Sequence, residues 1–174
     1  AAEKARQKNL NVRTVKLEDL QFEEAPFDAI VMWDVLEHLP EPSATLKLAG
    51  DLLRPGGLIA LNTPNAGSMF AKIRGKHWHL IVPPEHLSYF GVDNLTMLLN
   101  KIGMNVRKAT CFGKKFTLQY VFKMLSTWHK FFLWQWLSDK MHNRPLGRIA
   151  VSINLRDNLF LIAEKLSEAL HPEK

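Results

Sequence analysis

Hydrophobic and polar positions change period several times along the chain, and each change marks an element. Residues 1–9 (AAEKARQKN) are polar and read as the end of a helix, whereas VRTVKL (12–17) alternates with the period of two expected of a short strand. FDAIVMW (27–33) is a continuous apolar run bounded by Pro26 and a polar turn, the pattern of a strand buried on both faces of a parallel sheet. PSATLKLAGDLLRPGG (42–57) places Ala44, Leu48 and Leu52 at helical spacing and ends on Arg54-Pro55-Gly56-Gly57, a strong stop signal. LIALNTP (58–64) is a second buried strand, so the two strands and the helix between them predict a right-handed crossover unit of an α/β sheet. VDNLTMLLNKIGM (92–104) reads as a helix with Asp93 or Asn94 near its start and Gly103 at its end. NVRKATC (105–111) and NLFLIAEKL (158–166) follow as strands, the last expected to run antiparallel to its neighbours.

Two stretches resist this reading. NAGSMFAKIRGKHWHLIVPPEHLSYF (65–90) has no clean period and two prolines, which marks a long structured connection of the kind that commonly carries function. Residues 112–143 interleave phenylalanines and tryptophans with lysines; Leu118, Val121, Leu125, Trp128 and Phe132 fall on one helical stripe, and Gln119, Lys123, Ser126, Thr127 and Lys130 on another.

Composition narrows the class. At 174 residues, 47% hydrophobic and 23% charged, the chain has the apolar content of one globular domain with a substantial core, which excludes wholesale disorder. Its single cysteine, Cys111, excludes an internal disulfide and a cysteine-rich zinc site, and no apolar run reaches the 18 or more residues of a spanning helix. Charge is uneven: residues 1–100 carry ten basic and twelve acidic side chains, residues 101–174 thirteen and five. The basic balance therefore belongs to the C-terminal portion and suggests an anionic surface, with a solvated basic face as the plainer alternative.

In open α/β sheets ligands bind beyond the carboxyl ends of the strands, which directs attention to LEDL (17–20), WDVLEHL (33–39) and NTPN (62–65). Asp34, Glu37 and His38 stand at i, i+3 and i+4, so one turn of helix would bring all three to one face as a general-base or hard-metal cluster. Capping and internal hydrogen bonding would use the same residues. His38, His79, His86 and Glu85 flank the expected cleft as candidate bases, and Asn65 either orients a substrate or holds a turn.

FDAIVMWDVLEHLPEP, LLRPGGLIALNTPN, PPEHLSYF and DNLFLIAEK together resemble the class I S-adenosylmethionine-dependent methyltransferases, within them the branch that includes ubiquinone-biosynthesis O-methyltransferases. The resemblance covers residues 1–110 and 150–166 and implies a Rossmann-like α/β sheet with helices on both faces. It further implies S-adenosylmethionine as cofactor, with Leu17 and Glu18 bordering the adenine and Trp33, Asp34 and Val35 against the methionine part. By the same resemblance the cluster Asp34, Glu37 and His38 corresponds to one associated with a divalent metal in the ubiquinone branch; metal binding is not expected here.

The family's glycine-rich cofactor loop has no counterpart, since no Gly-x-Gly occurs in the chain. The acidic residue that grips the ribose is missing too. With a family strand order of 3-2-1-4-5-7-6, two strands would lie between VRTVKL and FDAIVMW. The chain is therefore expected to be the C-terminal part of a longer enzyme and to be inactive alone.

The resulting expectations are a core over 1–111 and 150–174, incomplete at its N-terminus, with a helical aromatic and basic insertion over 112–149. The expected activity is O-methylation of a small or lipid-linked acceptor, with His38 and His86 as catalytic residues and Asn65, His79 and Glu85 toward the substrate. A cytoplasmic protein, peripheral to an anionic membrane surface, fits this reading, and nucleic acid is not expected as a partner. The alternative is a non-catalytic module that recruits a partner or membrane through the aromatic, basic segment.

Overall fold

The computed structural model describes every residue except 1, 16, 20–24, 129–131, 143 and 168–174, and does not describe the side chains of Glu18, Lys114, Thr127 and Trp128. Its centre is a four-stranded sheet built from β1 (Phe27–Trp33), β2 (Leu53–Pro64), β3 (Met104–Cys111) and β6 (Asn158–Lys165), in the order β1-β2-β6-β3. β1 runs parallel to β2, while β6 runs antiparallel to both β2 and β3. That order is the 4-5-7-6 portion of the arrangement implied by the resemblance, and the last strand has the expected direction.

Helix α2 (Pro42–Leu52) makes the crossover between β1 and β2. Proline opens it, where its missing N–H is no loss, and Leu46, Ala49 and Gly50 form its buried face. The helix stops at Leu52, two residues before the Arg-Pro-Gly-Gly signal, which instead forms a bulged entry to β2. The register jumps there from Phe27 opposite Leu53 to Ala29 opposite Leu58. Gly57 is required at this bulge, because a Cβ would lie 2.8 Å from the Arg54 carbonyl oxygen and 3.2 Å from that of Phe27. The core gathers Leu46, Leu53, Ile59, Leu61, Leu159, Leu161 and Ala163 with Leu95 and Leu99 from α4 (Val92–Lys101).

One expected strand is absent. Residues 12–15 form no ladder, Leu17–Asp19 make a single 3-10 turn, and Arg6 of α1 (Ala2–Arg6) donates to the Thr14 hydroxyl at 2.8 Å. Alternation alone does not make a strand; a strand needs a neighbour to take up its backbone groups, and among the described residues none lies beside this segment. On the outer edge of β1 no strand pairs among the described residues either, and Val31 is 64% exposed.

Residues 112–153 are more than helical. Helices α5 (Leu118–Trp128) and α6 (Phe132–Met141) pack against each other, with Phe122 and Trp134 stacked at 6.0 Å. They are framed by β4 (Lys114–Thr117) and β5 (Ala150–Ile153), which pair antiparallel as a separate two-stranded sheet. The connection between β2 and α4 contains the short helix α3 (Met69–Arg74), capped by the Ser68 hydroxyl accepting from Ala71 N–H at 3.0 Å.

Candidate active site

The carboxyl ends of β1 and β2 carry the residues that sequence reasoning singled out, but the backbone distributes them differently. Asp34 takes a left-handed conformation (φ +50°), and the next turn, Leu36–His38, is a 3-10 turn rather than a turn of α-helix. Asp34, Glu37 and His38 therefore do not share one face. Asp34 is held against β2, its N–H donating to the Asn62 carbonyl at 3.0 Å and its Oδ1 accepting from Asn62 Nδ2 at 2.6 Å. The cluster expected from i, i+3, i+4 spacing loses Asp34 for this reason.

Glu37 points inward. It is 2% exposed, and its Oε2 accepts a hydrogen bond from the Thr63 hydroxyl at 2.9 Å. Its carbonyl also receives the N–H groups of Leu87 (2.8 Å) and Ser88 (3.2 Å), which straps the 85–88 loop onto the turn. That strap brings His86 to His38, with ring centroids 4.9 Å apart and edge to face.

Both imidazoles are oriented by backbone. His38 Nδ1 lies 2.8 Å from the Glu85 carbonyl and His86 Nδ1 lies 2.7 Å from that of Leu80. A carbonyl oxygen can only accept, so each Nδ1 carries a proton and each Nε2 is left to act on something else. Glu37 Oε1 sits 4.0 Å from His38 Nε2, and ligand atoms of Glu37, His38 and His86 lie within 4.8 Å of one another. Two imidazole nitrogens and a carboxylate are a donor set suited to a divalent transition metal, each imidazole already anchored through its other nitrogen.

The remaining candidates scatter around this pair. Glu85 has an exposed side chain and contributes its carbonyl. His79 lies 3.6 Å from Asp157 through Nε2. Asn65 is buried with its amide committed to the fold: Nδ2 donates to the Arg156 carbonyl at 2.9 Å and to Cys111 Sγ at 3.4 Å, and Oδ1 accepts from Gly67 N–H at 3.1 Å. Trp33, 51% exposed, packs at the end of β1 near Phe112 and Phe160, at 6.0 and 5.9 Å between ring centroids, and Val35 is also exposed. Leu17 lines an open apolar groove of about 570 Å³ with Leu39, Pro40, Ala44 and Leu48. The side chain of Glu18 lies outside the described residues. Sequence position puts Asn62 and Thr63 in the NTPN segment but gives neither a role, and nothing local marks Asp157, since each matters through a partner distant in sequence.

The profile of a family described as Methyltransferase domain matches residues 1–109. A ubiquinone biosynthesis O-methyltransferase from Xanthomonas axonopodis pv. citri (strain 306) is 40% identical over 57 residues, which are 32% of this chain and 24% of that protein. The protein of the same name from Xylella fastidiosa (strain M23) is 36% identical over 78 residues, 42% of this chain and 32% of that one. The matched segments thus span about a quarter to a third of these relatives.

Among solved structures, an S-adenosylmethionine-dependent methyltransferase from Thermotoga maritima, described as a possible histamine N-methyltransferase, superposes with a TM-score of 0.57 at 19% identity over 94% of this chain and 68% of that chain. The cyclase SpnF superposes with a TM-score of 0.53 at 14% identity, over 95% and 60% of the two chains, so the fold by itself does not name a reaction. The sheet order and the matched family profile agree, and this chain belongs to the class I S-adenosylmethionine-dependent methyltransferase family.

Proposed function

We propose that the protein transfers the methyl group of S-adenosylmethionine to an oxygen atom of a small or lipid-linked acceptor, with the His38–His86 pair removing the acceptor's proton. The observation that carries this reading is the pair itself: two imidazoles 4.9 Å apart, both anchored through Nδ1, beside a buried carboxylate at a strand end. The sulfonium of the donor is already activated, so the chain's own residues need to position the acceptor, exclude water and take one proton. A carbon–oxygen bond forms as the methyl–sulfur bond breaks, and the acceptor's proton passes to an Nε2 of the pair. Glu37 then stabilises the imidazolium from its buried position. Apolar surface at Trp33, Val35 and the groove beside Leu17 suits an adenosyl group. If a divalent ion is bound, Glu37, His38 and His86 would hold it, where it would polarise the acceptor oxygen.

The test is incubation of the full-length protein with methyl-labelled S-adenosylmethionine and a panel of hydroxyl-bearing acceptors. Label is expected in an ether, and His38→Ala and His86→Ala should each reduce transfer by about 10²-fold or more while leaving S-adenosylhomocysteine affinity nearly unchanged. Label on nitrogen or carbon, or loss of cofactor affinity in step with turnover, overturns the reading. Binding of the cofactor without transfer to any acceptor would favour the alternative of a non-catalytic module. Loss of transfer on adding a chelator would assign the trio to a metal rather than to proton removal.

A second reading, compatible with the first, is favoured by α6. Phe132, Leu133 and Trp136 are exposed there, and Lys140 Nζ lies 4.2 Å from the Trp136 ring centroid. Residues 101–149 contain ten basic side chains against the single acid Asp139. Apolar rings beside lysines suit an anionic lipid surface, where each lysine near the headgroups contributes about 1 kcal/mol. The full-length protein should cosediment with vesicles containing anionic lipid in preference to neutral ones, less so at high salt, and less so with Lys123→Glu and Lys140→Glu. Binding indifferent to both lipid charge and salt removes this reading.

A further inference from the structure

The ligands that spacing nominates are not the ones the backbone assembles. Asp34, Glu37 and His38 on one turn would offer two carboxylates and one imidazole, oxygen-rich surroundings suited to a hard ion such as Mg²⁺. The left-handed turn at Asp34 withdraws one of those carboxylates and commits it to Asn62. His86, from a loop distant in sequence, joins Glu37 and His38 instead, so nitrogen becomes the majority donor.

Three features prepare this trio for an ion. The two segments that carry it are tied together from both sides: the Glu37 carbonyl accepts from the N–H groups of Leu87 and Ser88, and His38 Nδ1 donates to the Glu85 carbonyl. The fold has thus already met much of the cost of ordering the ligands. Both imidazoles donate through Nδ1 to backbone carbonyls, the way proteins fix metal-binding histidines, which leaves each Nε2 with a free lone pair. Glu37 is 2% exposed and its Oε1 lies 4.0 Å from His38 Nε2, while Oε2 is engaged by Thr63. A carboxylate taken out of water gains from a cation beside it. The His38 side chain, 42% exposed, keeps the trio open to solvent as an entry path.

We infer that Glu37, His38 and His86 bind one late first-row divalent ion, of the Zn²⁺ or Co²⁺ class, and that Mg²⁺ does not compete for it. The set differs from the cluster implied by the resemblance, which counts Asp34 and omits His86, and the difference changes the ion. Two imidazoles and a carboxylate, with a fourth position open, form a recurrent zinc ligand set. Mg²⁺ prefers oxygen ligands and holds its own water, and here two of the three donors are nitrogen. Bonds of about 2.0–2.1 Å to a tetrahedral ion place ligand atoms about 3.3 Å apart. The three ligand atoms lie within 4.8 Å of one another, so a closure of about 1 Å completes the set, and the partly exposed His38 ring has room to supply it. The inference takes its location from the site proposed above but does not depend on methyl transfer. An ion there occupies both Nε2 atoms, so the ion-bound and proton-accepting forms of the pair are alternatives.

Co²⁺ is the probe, because the four-coordinate ion absorbs visible light far more strongly than the hydrated one. Full-length protein, freed of metal and of any affinity tag, should develop those bands on titration with Co²⁺ and saturate at one ion per chain. Zn²⁺ should bleach them and a large excess of Mg²⁺ should not. His86→Ala and His38→Ala should each weaken Co²⁺ binding about tenfold or more, whereas Asp34→Asn should leave it nearly unchanged. No saturation at one equivalent, displacement by Mg²⁺, undiminished binding in His86→Ala, or an equal loss in Asp34→Asn would each overturn the inference. Should His86→Ala fail to fold, the competition between Zn²⁺ and Mg²⁺ in the wild type and the His38→Ala titration still decide. Because these readouts need neither S-adenosylmethionine nor turnover, their failure is distinct from a failure of methyl transfer.

Discussion

Thr63 shows how one hydroxyl conditions a site. Its side chain is the partner of Glu37 Oε2 in an environment from which water is excluded, so Thr63→Val leaves a buried carboxylate oxygen without that donor. The expected cost is about 1–3 kcal/mol in chemical denaturation, and Thr63→Ser, which restores the hydroxyl, should recover most of it. A purely apolar role for Thr63 would reverse that order, since valine keeps the methyl group and serine does not. At Gly57 the constraint is steric: Gly57→Ala places a Cβ 2.8 Å from the Arg54 carbonyl oxygen, and backbone cannot yield as a flexible side chain would. A loss of about 1–3 kcal/mol is expected, read as a lower denaturation midpoint at unchanged slope.

Between elements, stability is unevenly shared. β2 and β6 supply much of the core, whereas α6 has no buried residue among those described. Helix α6 is held by its packing on α5, so it should open well before the sheet does. In amide hydrogen exchange the central residues of β2 and β6 should be the most protected and those of α6 among the least; equal protection in the two would show that the α5–α6 pair is welded to the core.

Over the whole molecule, β6 is the keystone because it is antiparallel to both of its neighbours. Leu161 stands opposite Leu61 on one side and Ala109 on the other, fully buried. Leu161→Ala should cost about 2–5 kcal/mol and lower the transition of the entire sheet rather than a part of it, with circular dichroism and tryptophan fluorescence unfolding together. Separate transitions by the two probes would mean that the sheet and the 112–153 segment fold independently.

Much of this was legible in the amino-acid order. Local patterns carried β1, α2, β2, α4, β3 and β6 to within a few residues, because apolar runs, a proline at a helix start and glycines at turns act over short range. The same logic failed at VRTVKL, where a strand's period lacks a neighbouring strand, and at Arg54–Gly57, where a stop signal became a bulge because β1 offered a partner for it. At the site, residue types sufficed to nominate His38 and His86, yet not to join them. That depended on the Glu37 carbonyl strapping down a loop some fifty positions away, a contact between backbone atoms that carry no residue identity. The left-handed turn at Asp34, a conformation that aspartate tolerates but does not dictate, was likewise settled by tertiary structure, through the contacts that hold it against Asn62 of β2.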